Sequence, residues 1–411
     1  MRSMTQVQTA PNLYPLKQTS LSQKDPKTYR KLQLNYRRAK QTDHSPELDA
    51  LAEKFDYEKC RNSYWNPEEF SLLYGIPLWA QSSQSQRIIL NQLYWVAYYA
   101  QIISAEIATI FFNQTSATGL YALHDFRLVC DTLDLETSQE RSHINAFQTV
   151  IDQVETRLFG QQIFGYPMRS PFRETMIFAD TNKLKSWWKG IQLHSFGLLS
   201  AGNSFLACQY LTVRGLRTLN GKLVQHKLSN FHHHHPTPEL SPIPSQISYY
   251  HFLDESFHFN TSTILSHDVT RSLKPPTTFE RQILNLGIYG CQRDHYHVSA
   301  AINGLFWYDP ALYFAIYQVL RSPHFGLTPE ESKVMLKSCF TQETEALHRS
   351  FQTHQEAIES YKVYLDPLEF ISKQNKEMKQ MSVNSIPQYL TVQKKQFINL
   401  LIIQNSTNYS S

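Results

Sequence analysis

His251-Phe252-Leu253-Asp254-Glu255-Ser256-Phe257-His258 sets a histidine, a glutamate and a second histidine at positions i, i+4 and i+7. On a helix turning about 100° per residue, the three fall within about 60° of one another. Phe252, Leu253, Phe257 and Phe259 make their surroundings apolar. Three ligand-type side chains on one stripe of a buried helix point to a metal rather than to packing.

Upstream, Glu140-Arg141-Ser142-His143 is a Glu-x-x-His element, with carboxylate and imidazole on one helical face, and Glu255/His258 repeats it. Earlier still, Glu106 is the only Asp, Glu, Lys, Arg or His between Ile88 and Leu123. A buried, uncompensated carboxylate costs several kcal/mol even after relaxation, so Glu106 must be paired, protonated or bound to metal. The order Glu106, then Glu140/His143, then Glu255/His258, one element per helix, is the ferritin-like dimetal plan. Carboxylates and imidazoles without thiolates suit iron or manganese. The expected fold is therefore all-α, a ferritin-like four-helix bundle core with additional C-terminal helices. All six side chains are expected to converge on one site.

The rest of the chain agrees with long helices. Stretches without internal proline run over 85–113, 117–158, 182–219 and 245–273, with a shorter one over 311–320. Several far exceed the ~11–12-residue mean, which in a soluble protein means a bundle. Asn66-Pro67-Glu68-Glu69 and Thr328-Pro329-Glu330-Glu331 each read as a helix start with N-cap, first-turn proline and acid. A loop is expected from His226 to Pro244; its tract His232–His235 lacks the fixed geometry of a metal site. Residues 1–60 read as a basic, polar N-terminal arm, 61–370 as the helical dimetal domain and 371–411 as a tail. The apolar run from Tyr94 to Phe112 contains Gln101 and Glu106, so a core helix is expected and not a membrane span.

Composition excludes several classes. A net charge of +4 over 411 residues is no nucleic-acid footprint, which needs clustered Lys and Arg. With 41% hydrophobic residues, the chain can bury a core and is not disordered throughout. Five scattered cysteines without a Cys-x-x-Cys pair argue against zinc ribbons and disulfide frameworks and point to a reducing, cytoplasmic setting. Cys208 has no paired base, and Arg293-Asp294-His295-Tyr296-His297 is a polar cluster of lesser weight.

The fourth-helix pattern, with His251 four residues before Glu255, resembles the p-aminobenzoate N-oxygenase family of di-iron enzymes (the aureothin-pathway type). Ligand order and length also resemble its remote relatives, the cylindrocyclophane-type dimetal halogenases. The likeness runs from about Asn66 to Leu320. It implies Glu106, Glu140, His143, His251, Glu255 and His258 as ligands to two iron ions, with manganese or a mixed pair as alternatives. It further implies O2, an external electron donor and, for the halogenase relatives, chloride. The substrate expected is small and apolar, an acyl chain held on a carrier protein, and the assembly a homodimer.

One departure stands out. The family has a third-helix glutamate about 60 residues after the first Glu-x-x-His, yet no Asp or Glu occurs from Thr181 to Pro238. By spacing the vacancy falls at Gly202, Asn203 or Ser204, and Asn203 is the expected occupant. Two divalent metals against three carboxylates leave about one positive charge and an open coordination position, where a reactive site takes substrate, water or an anion. Mononuclear non-haem iron halogenases admit chloride beside a small neutral residue in just such a place. The function expected is a dinuclear non-haem metal oxidoreductase that functionalises an unactivated C–H bond, by chlorination or hydroxylation. Arylamine N-oxygenation and a non-catalytic helical protein with a relic site are the rivals.

Overall fold

The computed structural model describes residues 21–121, 126–164, 183–295 and 310–382, and short stretches between 385 and 398. Its α-helices of ten residues or more are α1 (Pro26–Gln41), α2 (Ser45–Lys54), α3 (Gln84–Tyr121), α4 (Arg127–Phe159), α5 (Lys183–Ala201), α6 (Ser204–His233), α7 (Ile243–Thr263), α8 (Thr278–His295), α9 (Pro310–Arg321), α10 (Pro329–Thr341) and α11 (Glu345–Leu365). No strand occurs among the described residues. The protein is all-α, consistent with the ferritin-like bundle expected. Its core is the four helices α3, α4, α6 and α7, in which α3 packs along α4 and α6 along α7.

Two apolar bodies fill the bundle. One gathers Trp65, Trp95, Tyr99, Phe147 and Ile247; the other gathers Phe112, Val129, Leu211, Leu265 and Tyr361. Helix α3 contributes Leu90 through Ile103 to the first and Phe112 through Leu120 to the second. Glu106 falls between them, at the seam where the bundle is polar. The apolar part of α3 is long enough to cross a membrane by length and composition, but 67% of it is buried inside the protein.

The segment read as an arm is helical from Leu21 onward and packed against the bundle. In α1, Asp25 caps the first turn by accepting from the Thr28 amide at 3.0 Å. The helix buries Thr28, Leu32, Asn35 and Ala39, the 3.6-residue stripe of an amphipathic helix. Asn35 donates across to the Thr261 hydroxyl at 2.9 Å.

Three boundaries differ from the sequence reading. Asn66-Pro67 opens no helix: Asn66 is fully buried, and its amide group donates to the Asn91 carbonyl at 3.0 Å. Asn91 Oδ1 in turn accepts from the Trp65 and Asn66 backbone amides. The side chain that would have capped a helix ties the preceding turn to α3 instead. Next, the stretch 182–219 is broken at Gly202–Asn203, separating α5 from α6. Finally, α6 runs on to His233, so half the histidine tract lies in its last turn. The Thr328 start does form a full capping box with Glu331.

Candidate metal centre

Helix α3 supplies Glu106, α4 supplies Glu140 and His143, and α7 supplies His251, Glu255 and His258. All six are buried. His143 Nδ1 lies 3.2 Å from Glu140 Oε2, 3.5 Å from Glu106 Oε1 and 4.0 Å from Glu255 Oε1. His251 Nε2 lies 3.2 Å from Glu106 Oε1 and 3.7 Å from Glu255 Oε1. His258 Nδ1 lies 2.9 Å from Glu255 Oε1 and 3.4 Å from Glu140 Oε1. The donors form two groups, Glu106–His143–His251–Glu255 and Glu140–Glu255–His258, each with ligand atoms within 4.8 Å of one another. Glu255 belongs to both.

The outer nitrogens of two rings are held crosswise. His143 Nε2 is 3.2 Å from Asp254 Oδ2 on α7, and His258 Nε2 is 3.0 Å from Gln139 Oε1 on α4. Each acceptor immediately precedes the glutamate of its own Glu-x-x-His, yet serves the histidine of the other helix. Such partners fix the Nε2–H tautomer and turn the Nδ1 lone pair inward, as metal-ligating histidines require.

Electrostatics follow from this crowding. Burial lifts the Glu106 carboxyl well above its ordinary value, against a smaller pull from His143. Burial also works to raise Glu140, but the neighbouring His258 and His143 hold it down to about 2. Burial opposes charge on His143 and His258, yet Asp254, Glu106 and Glu140 hold a proton on the first, and Glu255 and Glu140 on the second, well above the imidazole range. Burial and then His143 push His251 down to about 3, leaving a neutral ring. Protons thus stand in for cations among these donors.

They do so incompletely. Both Glu106 oxygens and both His251 ring nitrogens make no hydrogen bond, despite their close mutual approach. An unsatisfied buried polar group costs about 1–3 kcal/mol, and Glu106 Oε1 and His251 Nε2, 3.2 Å apart with no hydrogen bond, fit a shared metal ion. Oxygen and imidazole donors without thiolate fit iron or manganese.

Asn203 lies elsewhere. It is the N-cap of α6, accepting from the Leu206 amide at 3.0 Å and donating to Glu280 Oε1 at 2.6 Å. The face of α6 that lines the site begins seven residues later with Tyr210, about 10 Å further at 1.5 Å per residue, and runs on through Arg214. There Arg214, Arg217, Thr218, Gly221 and Gln225 line a cavity of about 140 Å³ that also exposes Glu106, Glu140, His251, Glu255 and His258. Ile102, Ala105, Phe112, Phe196 and Val213 make most of its remaining wall apolar. Arg214 is buried and fully engaged, donating to Glu136 Oε2 (2.6 Å), Asn113 Oδ1 (2.9 Å), Ser262 Oγ (2.9 Å) and the His258 carbonyl (3.0 Å). It clamps α6 to the turn of α7 that carries His258.

Sequence reasoning did not single out Asp254, Gln139 or the Arg214–Glu136 pair; the first two stand one residue before each motif glutamate. Cys208 is fully buried and its thiol is pushed up to about 12 by burial, so it offers no thiolate. Of the cluster Arg293–His297, the first three residues end α8, and Tyr296 and His297 lie outside the described residues.

Fold and cluster together define an all-α bundle protein with a buried carboxylate–imidazole centre able to hold metal. The sequence matches the family described as Acyl halogenase CylC-like over residues 27–401. The chain belongs to that family, and is an enzyme of the halogenase kind. No curated protein and no solved structure matches it.

Proposed function

We propose that this chain holds two iron ions (the same donors suit manganese or a mixed pair) and uses O2 and chloride to chlorinate an unactivated carbon of an acyl chain. The observation that carries the proposal is a three-carboxylate, three-histidine cluster opening on an apolar cavity whose α6 wall offers no acid. Bound, the metals would supply the redox chemistry; orientation and a dry, shaped site are the protein's part.

Each residue then has a task. Glu255, common to both donor groups, would help hold both ions, and Glu140 would join it in one group. Asp254 and Gln139 aim His143 and His258. Arg214, neutralised by Glu136, fixes the α6–α7 distance and contributes no net charge to the balance. Three ligating carboxylates leave the ions an open coordination position, which a small anion such as chloride can take. The α6 wall is small here: Thr218 and Gly221 line the cavity, and we take them as the place of the missing acid. Glycine in mid-helix costs about 1 kcal/mol relative to alanine. Packing does not demand it, because a Cβ at Gly221 would meet nothing nearer than Gln225 Nε2 at 3.8 Å and Tyr98 Oη at 3.9 Å. The apolar wall suits an alkyl chain, presented free or on a carrier, better than an arylamine.

The test is chlorination itself. Iron-loaded protein with O2, a reductant, chloride and a medium-chain acyl group, free and carrier-tethered, should yield a product with the chlorine isotope doublet. Gly221→Glu should retain metal, lose chlorination and shift toward hydroxylation, whereas Gly221→Ala should still chlorinate. Full chlorination by both Gly221→Glu and Thr218→Glu would place the halide elsewhere. Turnover of an arylamine but no acyl substrate would favour N-oxygenation.

A further inference from the structure

A file of aromatic rings leads from the centre to the bundle's N-terminal edge. The His251 ring is 5.7 Å from Tyr99 between centroids, Tyr99 is 4.4 Å from Trp95, Trp95 is 6.1 Å from Trp65, and Trp65 is 6.1 Å from Tyr57. Trp65, Trp95 and Tyr99 are wholly excluded from solvent. Tyr57 is 5% exposed, and its chain neighbours Glu58 and Arg61 form an exposed ion pair at 3.0 Å. Both indoles also carry the hydrogen bond that a buried Trp N–H usually finds. The Trp95 indole N–H points at the Pro244 carbonyl (3.0 Å) and Ser248 Oγ (2.9 Å), and that of Trp65 at the Cys60 carbonyl (3.2 Å). Oxygen dipoles aimed at an indole favour a transient positive charge on it. On the substrate side, by contrast, no tryptophan is among the residues lining the cavity.

We propose that Trp95 and Trp65 relay single electrons between the surface and the metal centre, with the Tyr99 ring filling the gap to His251. The step is balanced without bond changes. Trp95 gives one electron to the centre, Trp65 refills Trp95, and a one-electron reductant in solution refills Trp65 by way of Tyr57. The centre is reduced, the external reductant is oxidised, and both indoles keep their hydrogen-bonded protons. This inference rests on the redox-metal reading of the centre.

The test is electron paramagnetic resonance on iron-loaded protein mixed with O2 without acyl substrate and frozen within milliseconds. An organic radical should appear, and its hyperfine splitting should collapse in protein grown on ring-deuterated tryptophan but not on ring-deuterated tyrosine. Trp95→Phe should abolish the signal. Trp65→Phe should keep it, and ascorbate should quench it at least ten-fold more slowly than in the parent. Iron that binds and oxidises with no tryptophan radical, or equal quenching in Trp65→Phe and parent, overturns the relay while leaving the centre intact. A chain that binds no iron overturns the reading of the centre, and the relay with it. The deuteration arm needs no substitution, so it stands even if a variant misfolds.

Discussion

Asp254→Asn separates the two halves of the centre. Asp254 is fully buried, with Oδ2 3.2 Å from His143 Nε2 and Oδ1 accepting from the His44 amide at 3.4 Å. Asparagine keeps the size but removes the charge, and in one of its two amide orientations it presents an N–H to an N–H. His143 then loses what fixes its tautomer, and its Nδ1 is no longer held toward Glu106 and Glu140. Loss of such an outer partner costs about 10–100-fold in metal affinity, or about 1.4–2.8 kcal/mol at 1.4 kcal/mol per decade. Because His143 belongs to the group with Glu106, His251 and Glu255, the loss should fall mainly on one ion. Isothermal titration with ferrous or manganous ion under anaerobic conditions should show one of two binding steps weakened by that factor and the other little changed. Gln139→Met, which removes the acceptor of His258 Nε2, should weaken the other step. Two unchanged steps in Asp254→Asn, or two steps weakened equally, would refute the assignment of His143 to a single ion through Nδ1.

Other consequences follow from the same geometry. Metal-free protein should melt several degrees below metal-loaded protein in calorimetry, since a ligand at 100 times its Kd adds about 2.7 kcal/mol; equal melting temperatures would count against a metal site. Metal affinity should rise with pH and binding should release protons, measurable with a pH indicator. The sign is set by Glu106, His143 and His258, all held above their ordinary values without metal, so each must lose a proton before it ligates. Arg214→Met should cost about 3–5 kcal/mol in denaturant unfolding, because Glu136 is left 1% exposed without its partner. Adding Glu136→Gln should recover much of that loss.

How much was legible in the sequence depends on which geometry a residue answers to. Glu106, Glu140, His143, His251, Glu255 and His258 could be picked out because ligand spacing on a helix follows the helix's own period. Asp254 and Gln139 sit one residue earlier, about 100° around the helix, so they face a neighbouring helix that only the packed bundle identifies. Asn203 lies off the site because the proline-free stretch 182–219 is two helices and not one. The signal was present: glycine followed by asparagine and serine is a helix end followed by an N-cap. Once the helix restarts there, the face from Arg214 to Gly221 lies about three to five turns later. Asn66 fails in the opposite sense, since its capping pattern is genuine but its side chain is spent on Asn91. The N-terminal segment looked like an arm because α1 buries only one narrow stripe and exposes its lysines and arginines.

The central claim is that six side chains from three helices hold two metals. Crystals of iron-loaded protein measured at the iron absorption edge test it most directly. Two anomalous peaks are expected about 3.5–4 Å apart, one among Glu106, His143 and His251 and the other beside Glu140 and His258, with Glu255 between them. A single peak, or iron bound away from these residues, would contradict the account.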